Sequence, residues 1–293
     1  MGKVIGFFEK VIHTFCGIFK ILKDTKFADT NKIQQKQGDS CYILGNGPSL
    51  NSEINSDNFN LITSNIFVVN HFGSSDLYDQ IKPDFYLIAD PGFYVDLLDL
   101  EEKQRVINLF IALNEKTTWH LTVFVPFEAK KFIQEKLKEN SNISVVGYNI
   151  VNTWKGFKWF ERWVYDNQWA IVSGLNVVMA ALSLSIYMGF KKIYLFGVDH
   201  SWHQNLIVSD DNILCMYDPH FYDEKDGENL KPIPITIEEN NQIKILKMHE
   251  LLRYFEKAFE VYHYIQDYAK SKNVKIINCT SNSFIDAFER KKK

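Results

Sequence analysis

The residues of this sequence suited to chemistry sit at the ends of apolar runs. The densest group is Gly45-Asn46-Gly47-Pro48-Ser49, directly after Cys41-Tyr42-Ile43-Leu44. Glycines let a backbone approach a ligand, a following helix start offers free N–H groups to an anion, and Asn46 and Ser49 add side-chain hydrogen bonds. Phosphate binding is the chemistry this pattern suggests, against a bare structural turn. The spacing is neither G-x-x-x-x-G-K-[ST] nor G-x-G-x-x-G, so ATP hydrolysis and dinucleotide binding lack their usual signatures. Asn70 and Asp90 each close a later apolar run, where they would read a ribose or a base, or serve as turn and cap residues. Ser173-Gly174 opens an apolar stretch, with Ser173 as ligand contact or N-cap. Asp199 ends the run at 192 to 198, placed to accept hydrogen bonds from sugar hydroxyls or to hold the loop beyond it.

Metal chemistry has little support. His200 and His203 are a close pair, but three residues apart in a loop is a weak ligand pattern. There is no D-x-D to hold a divalent cation against a diphosphate. The expectation is a mechanism without metal or cofactor, in which hydroxyl, amide and cationic groups neutralise a leaving phosphate. Tyr217 and Tyr222 would supply phenols.

The elements that must position these residues are legible as alternating patterns. Apolar runs at 41–44, 66–69, 85–89, 121–125, 143–147, 192–198 and 274–278 alternate with helical stretches. This predicts an α/β, Rossmann-like fold with a mainly parallel sheet flanked by helices, and ligands beyond the carboxyl ends of the strands. Residues 174 to 188 read as a helix buried nearly all round and ended by Gly189. Residues 238 to 272 read as one long helical region, broken once at most. The stretch 200 to 236 is aperiodic and is a candidate lid.

Composition bounds the rest. With 293 residues, 46% of them hydrophobic, the chain can bury a full core, and a formal net charge of -3 argues against a broad nucleic-acid footprint. Four cysteines without a C-x-x-C pair read as reduced thiols, and with no cleavable signal a cytoplasmic address is expected. Residues 1 to 26 form an amphipathic helix with a wide apolar face of Phe7, Phe8, Val11, Phe15, Ile18 and Phe19, interrupted by charges that make spanning a bilayer costly. Its five lysines against two acids suit the inner face of an anionic membrane, while packing on the body or on another subunit is the alternative. Residues 27 to 39 read as a linker, and 40 to 293 as the catalytic body.

Taken in order, GNGPSL, Asn70, the Ser173-Gly174 helix start and GFKKIYLFGVDH make residues 40 to 290 resemble the bacterial sialyltransferases of glycosyltransferase family 42. The chain resembles still more the broader group with the domain of unknown function 115, which includes flagellin-modifying motility accessory factors. That resemblance implies an inverting, metal-independent transfer of a sugar, sialic or a related acidic one, from a cytidine monophosphate donor to a cell-surface glycan or glycolipid. It places Asn46, Asn70, Ser173 and Gly174 around the donor. Two positions depart from the pattern: Asp90 stands where the family has Asn, and Ala170 where it has Arg, which points toward a different sugar or nucleotide. The resemblance further implies a histidine general base, suited by an unperturbed pKa of about 6.5. His220 and His249 are the candidates, with His263 a third. The alternatives are an ATP-dependent pterin diphosphokinase-like enzyme, which shares the same domain, and a non-catalytic scaffold; self-association is left open.

Overall fold

Each apolar run becomes a strand because its alternate side chains are buried on opposite faces of one sheet. The computed structural model describes residues 2–27, 33, 39–55, 59, 65–95, 100–217, 220–221, 233–239 and 242–291. From the N-terminus the chain forms α1 (Gly2–Asp24), β1 (Ser40–Leu44), α2 (Leu50–Glu53), β2 (Asn65–Val69), α3 (Leu77–Ile81), β3 (Phe85–Leu87) and α4 (Leu100–Lys116). It continues through β4 (Leu121–Pro126), α5 (Phe127–Lys136), β5 (Ile143–Tyr148), α6 (Lys158–Asp166), α7 (Val177–Met188) and β6 (Lys192–Phe196). Then follow β7 (Leu206–Val208), β8 (Leu214–Met216), β9 (Ile233–Pro234), β10 (Thr236–Glu239), β11 (Gln242–Ile245), α8 (Met248–Ser271), β12 (Lys275–Asn278) and β13 (Glu289–Arg290).

Eight strands form one parallel sheet in the order β13-β12-β6-β1-β2-β3-β4-β5, the Rossmann-like α/β arrangement expected. Cys41 and Ile43 face one core with α7 and α8; Tyr42 and Leu44 face the other with α3, α4 and α5. Burial on both sides is why these strands read as continuous apolar runs. Phe67, Phe85 and Phe124 stack across β2, β3 and β4 on the first face, with the closest pair of ring centroids 4.4 Å apart.

Two expectations are corrected. The buried helix starts at Val177, because Asn176 accepts from the Met179 amide and is its N-cap; Ser173 instead holds a turn through the Leu175 amide. Residues 236–239 and 242–245 pair as the antiparallel strands β10 and β11, so the long helix begins only at Met248. The candidate lid at 200 to 236 carries the antiparallel sheet β7-β8-β9 among its described residues, and its residues 218–219 and 222–232 lie outside those described. The linker at 27 to 39 also falls largely outside them. Among the described residues no helix is long and apolar enough to cross a membrane, and all four cysteines are free.

Helix α1 lies on the body through its Thr14, Gly17 and Ile21 face, with Thr25 buried just beyond its end. The Phe157 amide donates to Thr14 Oγ1, and Thr25 Oγ1 donates to the Trp169 carbonyl. A Cβ on Gly17 would stand 3.1 Å from the Phe160 ring, so the small residue admits α6. Under this contact lies Glu161, whose Oε1 accepts from the Gly156 amide at 2.6 Å. Burial pushes its carboxyl up to about 7, partly offset by that amide and by Lys158. The folded state therefore holds a proton that the unfolded chain releases, so this stability is present below the unfolded value of 4.5 and lost as pH rises through about 7. Glu161→Gln, which keeps the acceptor, should raise unfolding free energy at about pH 8 by about 1–2 kcal/mol, discounted for partial solvent access, and leave it nearly unchanged at about pH 5. Urea titrations at the two pH values check this; an equal effect at both would refute it.

Candidate functional site

The order of the sheet creates one place where neighbouring strands connect in opposite directions. From β1 the chain moves to β2 on one side, and β6 returns to β1 on the other. Such crossover points open a crevice beyond the carboxyl ends of the strands. Here the crevice is a recess of about 210 Å³ lined by Gly45, Asn46, Gly47, Asn70, Asn176, Asp199, His200, Trp202, Asn205 and His220, among others.

The glycine loop is built differently from expectation. The Gly45 amide donates to the Phe196 carbonyl and the Gly47 amide to the Gly197 carbonyl. A Cβ on Gly45 would lie 2.4 Å from the Gly197 oxygen, and one on Gly47 would lie 1.9 Å from Asp199 Oδ2. The glycines thus admit the β6 loop rather than a ligand, and Gly197 turns there at φ +61°. The expected helix start is a single turn, in which the amides of Leu50, Ser52 and Glu53 bond to the carbonyls of Gly47 and Ser49. Ser49 Oγ donates to Asp199 Oδ2 at 2.8 Å. Where a phosphate was expected, the loop therefore holds the protein's own carboxylate, and its amide donors are largely spent. Burial pushes the Asp199 carboxyl above the usual range, partly offset by the Ser49 hydroxyl.

What the loop does present is Asn46. Its Nδ2 donates to the Val69 carbonyl, which leaves Oδ1 buried without a partner, an arrangement that calls for a donor from a ligand. Asn70 turns with φ +45°, and its carbonyl accepts from the Tyr86 hydroxyl. The Asn46 carbonyl accepts from the Phe221 amide, Asn51 Nδ2 donates to the Phe221 carbonyl, and the Phe221 ring lies 5.2 Å from Phe72. These contacts fix His220 beside the recess.

Sequence reasoning gave Asn176 no role at the site and weighed His200 only as a metal ligand. His200 has φ +53° and is buried, with Tyr262 Oη 2.5 Å from Nε2 and Asn176 Nδ2 3.4 Å away. Burial pushes its pKa down to about 3, so the ring is neutral and a poor proton acceptor. The signal for Asn176 was an asparagine directly before two valines, a cap position. His203 instead meets the Phe284 ring, away from His200, and no group of three or more metal-ligating side chains converges among the described residues. Buried Glu53 was missed as well: its carboxylate accepts from the amides of Gly197 and Ser281 and clamps the β6 loop.

Other expected site residues fall outside the recess. Asp90 is exposed and caps a short turn through the Gly92 amide. Ser173 is buried in its own turn, and the Gly174 amide donates to Asn152 Oδ1. Tyr217 is half-buried, its amide tied to the Asn205 carbonyl. His249 is exposed on the first turn of α8, and His263 is exposed and pairs with Asp286. Tyr222 lies outside the described residues.

The profile of a family described as "6-hydroxymethylpterin diphosphokinase MptE-like" matches residues 15–205, well over half of the chain. The chain belongs to this MptE-like family. The matched span of the MptE-like chain runs from α1 through β6 and so includes most of the recess. No curated protein sequence matches it. Among solved structures it is similar to the MAf glycosyltransferase from Magnetospirillum magneticum AMB-1, with a TM-score of 0.50 at 13% identity over 88% of this chain. The MptE-like chain spans only 34% of that protein, and the likeness shows the shared fold.

Proposed function

We propose that this chain is a glycosyltransferase that takes a sugar from a nucleotide donor, with the nucleoside held in the recess between β1 and β6. The observation that carries this is the recess itself: it sits at the crossover of the sheet, and no lysine or arginine is among its lining residues that are described. The Asn46 Oδ1 acceptor and the Asp199 carboxylate suit the hydroxyl and amino donors of ribose and base. A volume of about 210 Å³ is below the roughly 300–1,000 Å³ of whole-ligand pockets, which fits the nucleoside part of a donor. The fold shared with a glycosyltransferase gives further support. In this reading the donor is cytidine monophosphate-linked, the sugar acidic, the acceptor a cell-surface glycan or glycolipid, and His220 the base that takes the acceptor hydroxyl proton in an inverting step without a metal.

The family description favours a second reading, diphosphoryl transfer from ATP to a pterin. A triphosphate would bring several negative charges to a recess whose described lining holds the Asp199 carboxylate and no lysine or arginine, and it would need further cations. Calorimetric titration with cytidine monophosphate, uridine diphosphate, guanosine diphosphate and magnesium-ATP separates the two. Cytidine monophosphate should bind most tightly, and Asn46→Ala should weaken it about tenfold, the value of one lost buried hydrogen bond. Tighter binding of either diphosphate would overturn the donor assignment, and tighter binding of magnesium-ATP would favour the diphosphokinase.

A further inference from the structure

Helix α1 is fixed to the body along one side and bare along another. Phe8, Ile12, Phe15, Phe19 and Leu22 recur every three to four residues on the bare side, with Phe15 and Phe19 each 69% and Leu22 70% exposed. Phe7 and Ile18 widen the stripe, and both are exposed. A contiguous apolar face of this kind marks an interaction surface. Its charge surroundings indicate the partner. Residues 1 to 26 carry five lysines against two acids in a chain whose overall formal charge is -3, so the remainder is acidic. Lys20, Lys23 and Lys26 outnumber Asp24 and Glu128 around a recess of about 530 Å³ at the carboxyl end of β5. The adjoining α6 adds exposed Trp159 and Trp163, a residue type that settles at the headgroup layer.

We propose that α1 docks this protein on an anionic lipid bilayer, with the Phe8–Leu22 stripe in the headgroup and acyl boundary and Lys20, Lys23 and Lys26 on lipid phosphates. Amphipathic helices with an aromatic face and lysine flanks lie in the interfacial plane in this way. A second copy of the chain fits less well. The stripe, widened by Phe7 and Ile18, is broader than the seam of a two-helix coil, and a parallel partner α1 would set the lysines of its last two turns against their own copies. Because Thr14, Gly17, Ile21 and Thr25 bind the helix to the body, docking also fixes orientation: the edge of the sheet that carries the recess between β1 and β6 lies toward the end of α1 bearing the lysines. The docking is independent of the reaction the recess performs, and its test measures no turnover.

Full-length protein is sedimented with vesicles of phosphatidylcholine alone or of equal parts phosphatidylcholine and phosphatidylglycerol. The expected result is binding about tenfold or more stronger to the anionic vesicles, weakening with salt. Phe15→Asp with Phe19→Asp should abolish it, and Lys20→Glu with Lys23→Glu should reduce it to the neutral-vesicle level, all with unchanged melting temperatures. Equal sedimentation of the wild type and the phenylalanine pair variant would overturn the proposal. So would a wild type that binds neither vesicle but elutes as a dimer, dissociated by the same pair.

Discussion

Glu53→Ala is expected to lower the unfolding free energy by about 2–5 kcal/mol, a large share of the roughly 5–15 kcal/mol that holds a domain folded. The side chain is buried, and its two oxygens accept from the Gly197 amide at 2.7 Å and the Ser281 amide at 2.6 Å. Removing it strands the buried Gly197 amide and the part-buried Ser281 amide at once, with a cost of about 1–3 kcal/mol for each donor left without a partner, less where water can reach it. Glu53→Gln keeps one acceptor and turns an N–H toward the other amide, so an intermediate loss is expected. Chemical denaturation of the three proteins measures both. A loss below about 0.5 kcal/mol for the alanine variant, the range of ordinary surface changes, would show that the clamp does not bear on stability.

His220→Ala should reduce kcat by about 10²–10⁴, the usual contribution of a positioned general base, with nucleotide affinity changed only a few-fold. The ring belongs to the recess and is held there by Phe221, which packs on Phe72 and bonds to Asn46 and Asn51. The other histidine of the recess is disqualified by its environment. Burial that brings His200 from 6.5 to about 3 makes it a base weaker by about three orders of magnitude. Its contacts with Tyr262 and Asn176 fit a residue that shapes the wall and takes no proton. His249→Ala, on the exposed first turn of α8, should leave kcat within about twofold, as expected for a surface change. Steady-state kinetics of the variants with a donor that binds will decide; full activity in His220→Ala would remove this histidine from the mechanism.

Seven of the eight strands of the large sheet were legible, the central ones because burial on both faces writes itself as an uninterrupted apolar run, as Cys41 to Leu44 shows; β13, two exposed residues at the edge, carries no such run. Strand ends carried the site for the same reason, since Asn46, Asn70 and Asp199 stand where the crossover rule puts ligands. The purpose of the glycines was not legible. A sequence cannot distinguish a glycine that admits a phosphate from one that admits another stretch of backbone, and Gly45 and Gly47 do the latter. Asn176 was hidden behind Ser173, an equally good cap residue three positions earlier, whose turn is held from outside through Asn152 and Gly174. Residues 236 to 245 had the alternation of a hairpin, with Ile237, Ile243 and Ile245 on either side of Asn240-Asn241, but abutted a strong helix and were absorbed into its pattern. His200 gave no sign of its burial, because that depends on Tyr262, 62 residues further along.

The central position of β1 has a consequence for how the protein is made. Its two neighbours are β2, which follows at once, and β6, which pairs Cys41 with Ile193 across roughly half the chain. During synthesis β1 thus keeps one open edge until the residues of β6 have left the ribosome, and open edges invite mispairing. The recess needs the same late segment, since Gly197 to His200 form its far wall. Long-range closure of this kind slows folding, so the binding site is among the last features to appear, and chains truncated before Lys192 should emerge as aggregation-prone species without one.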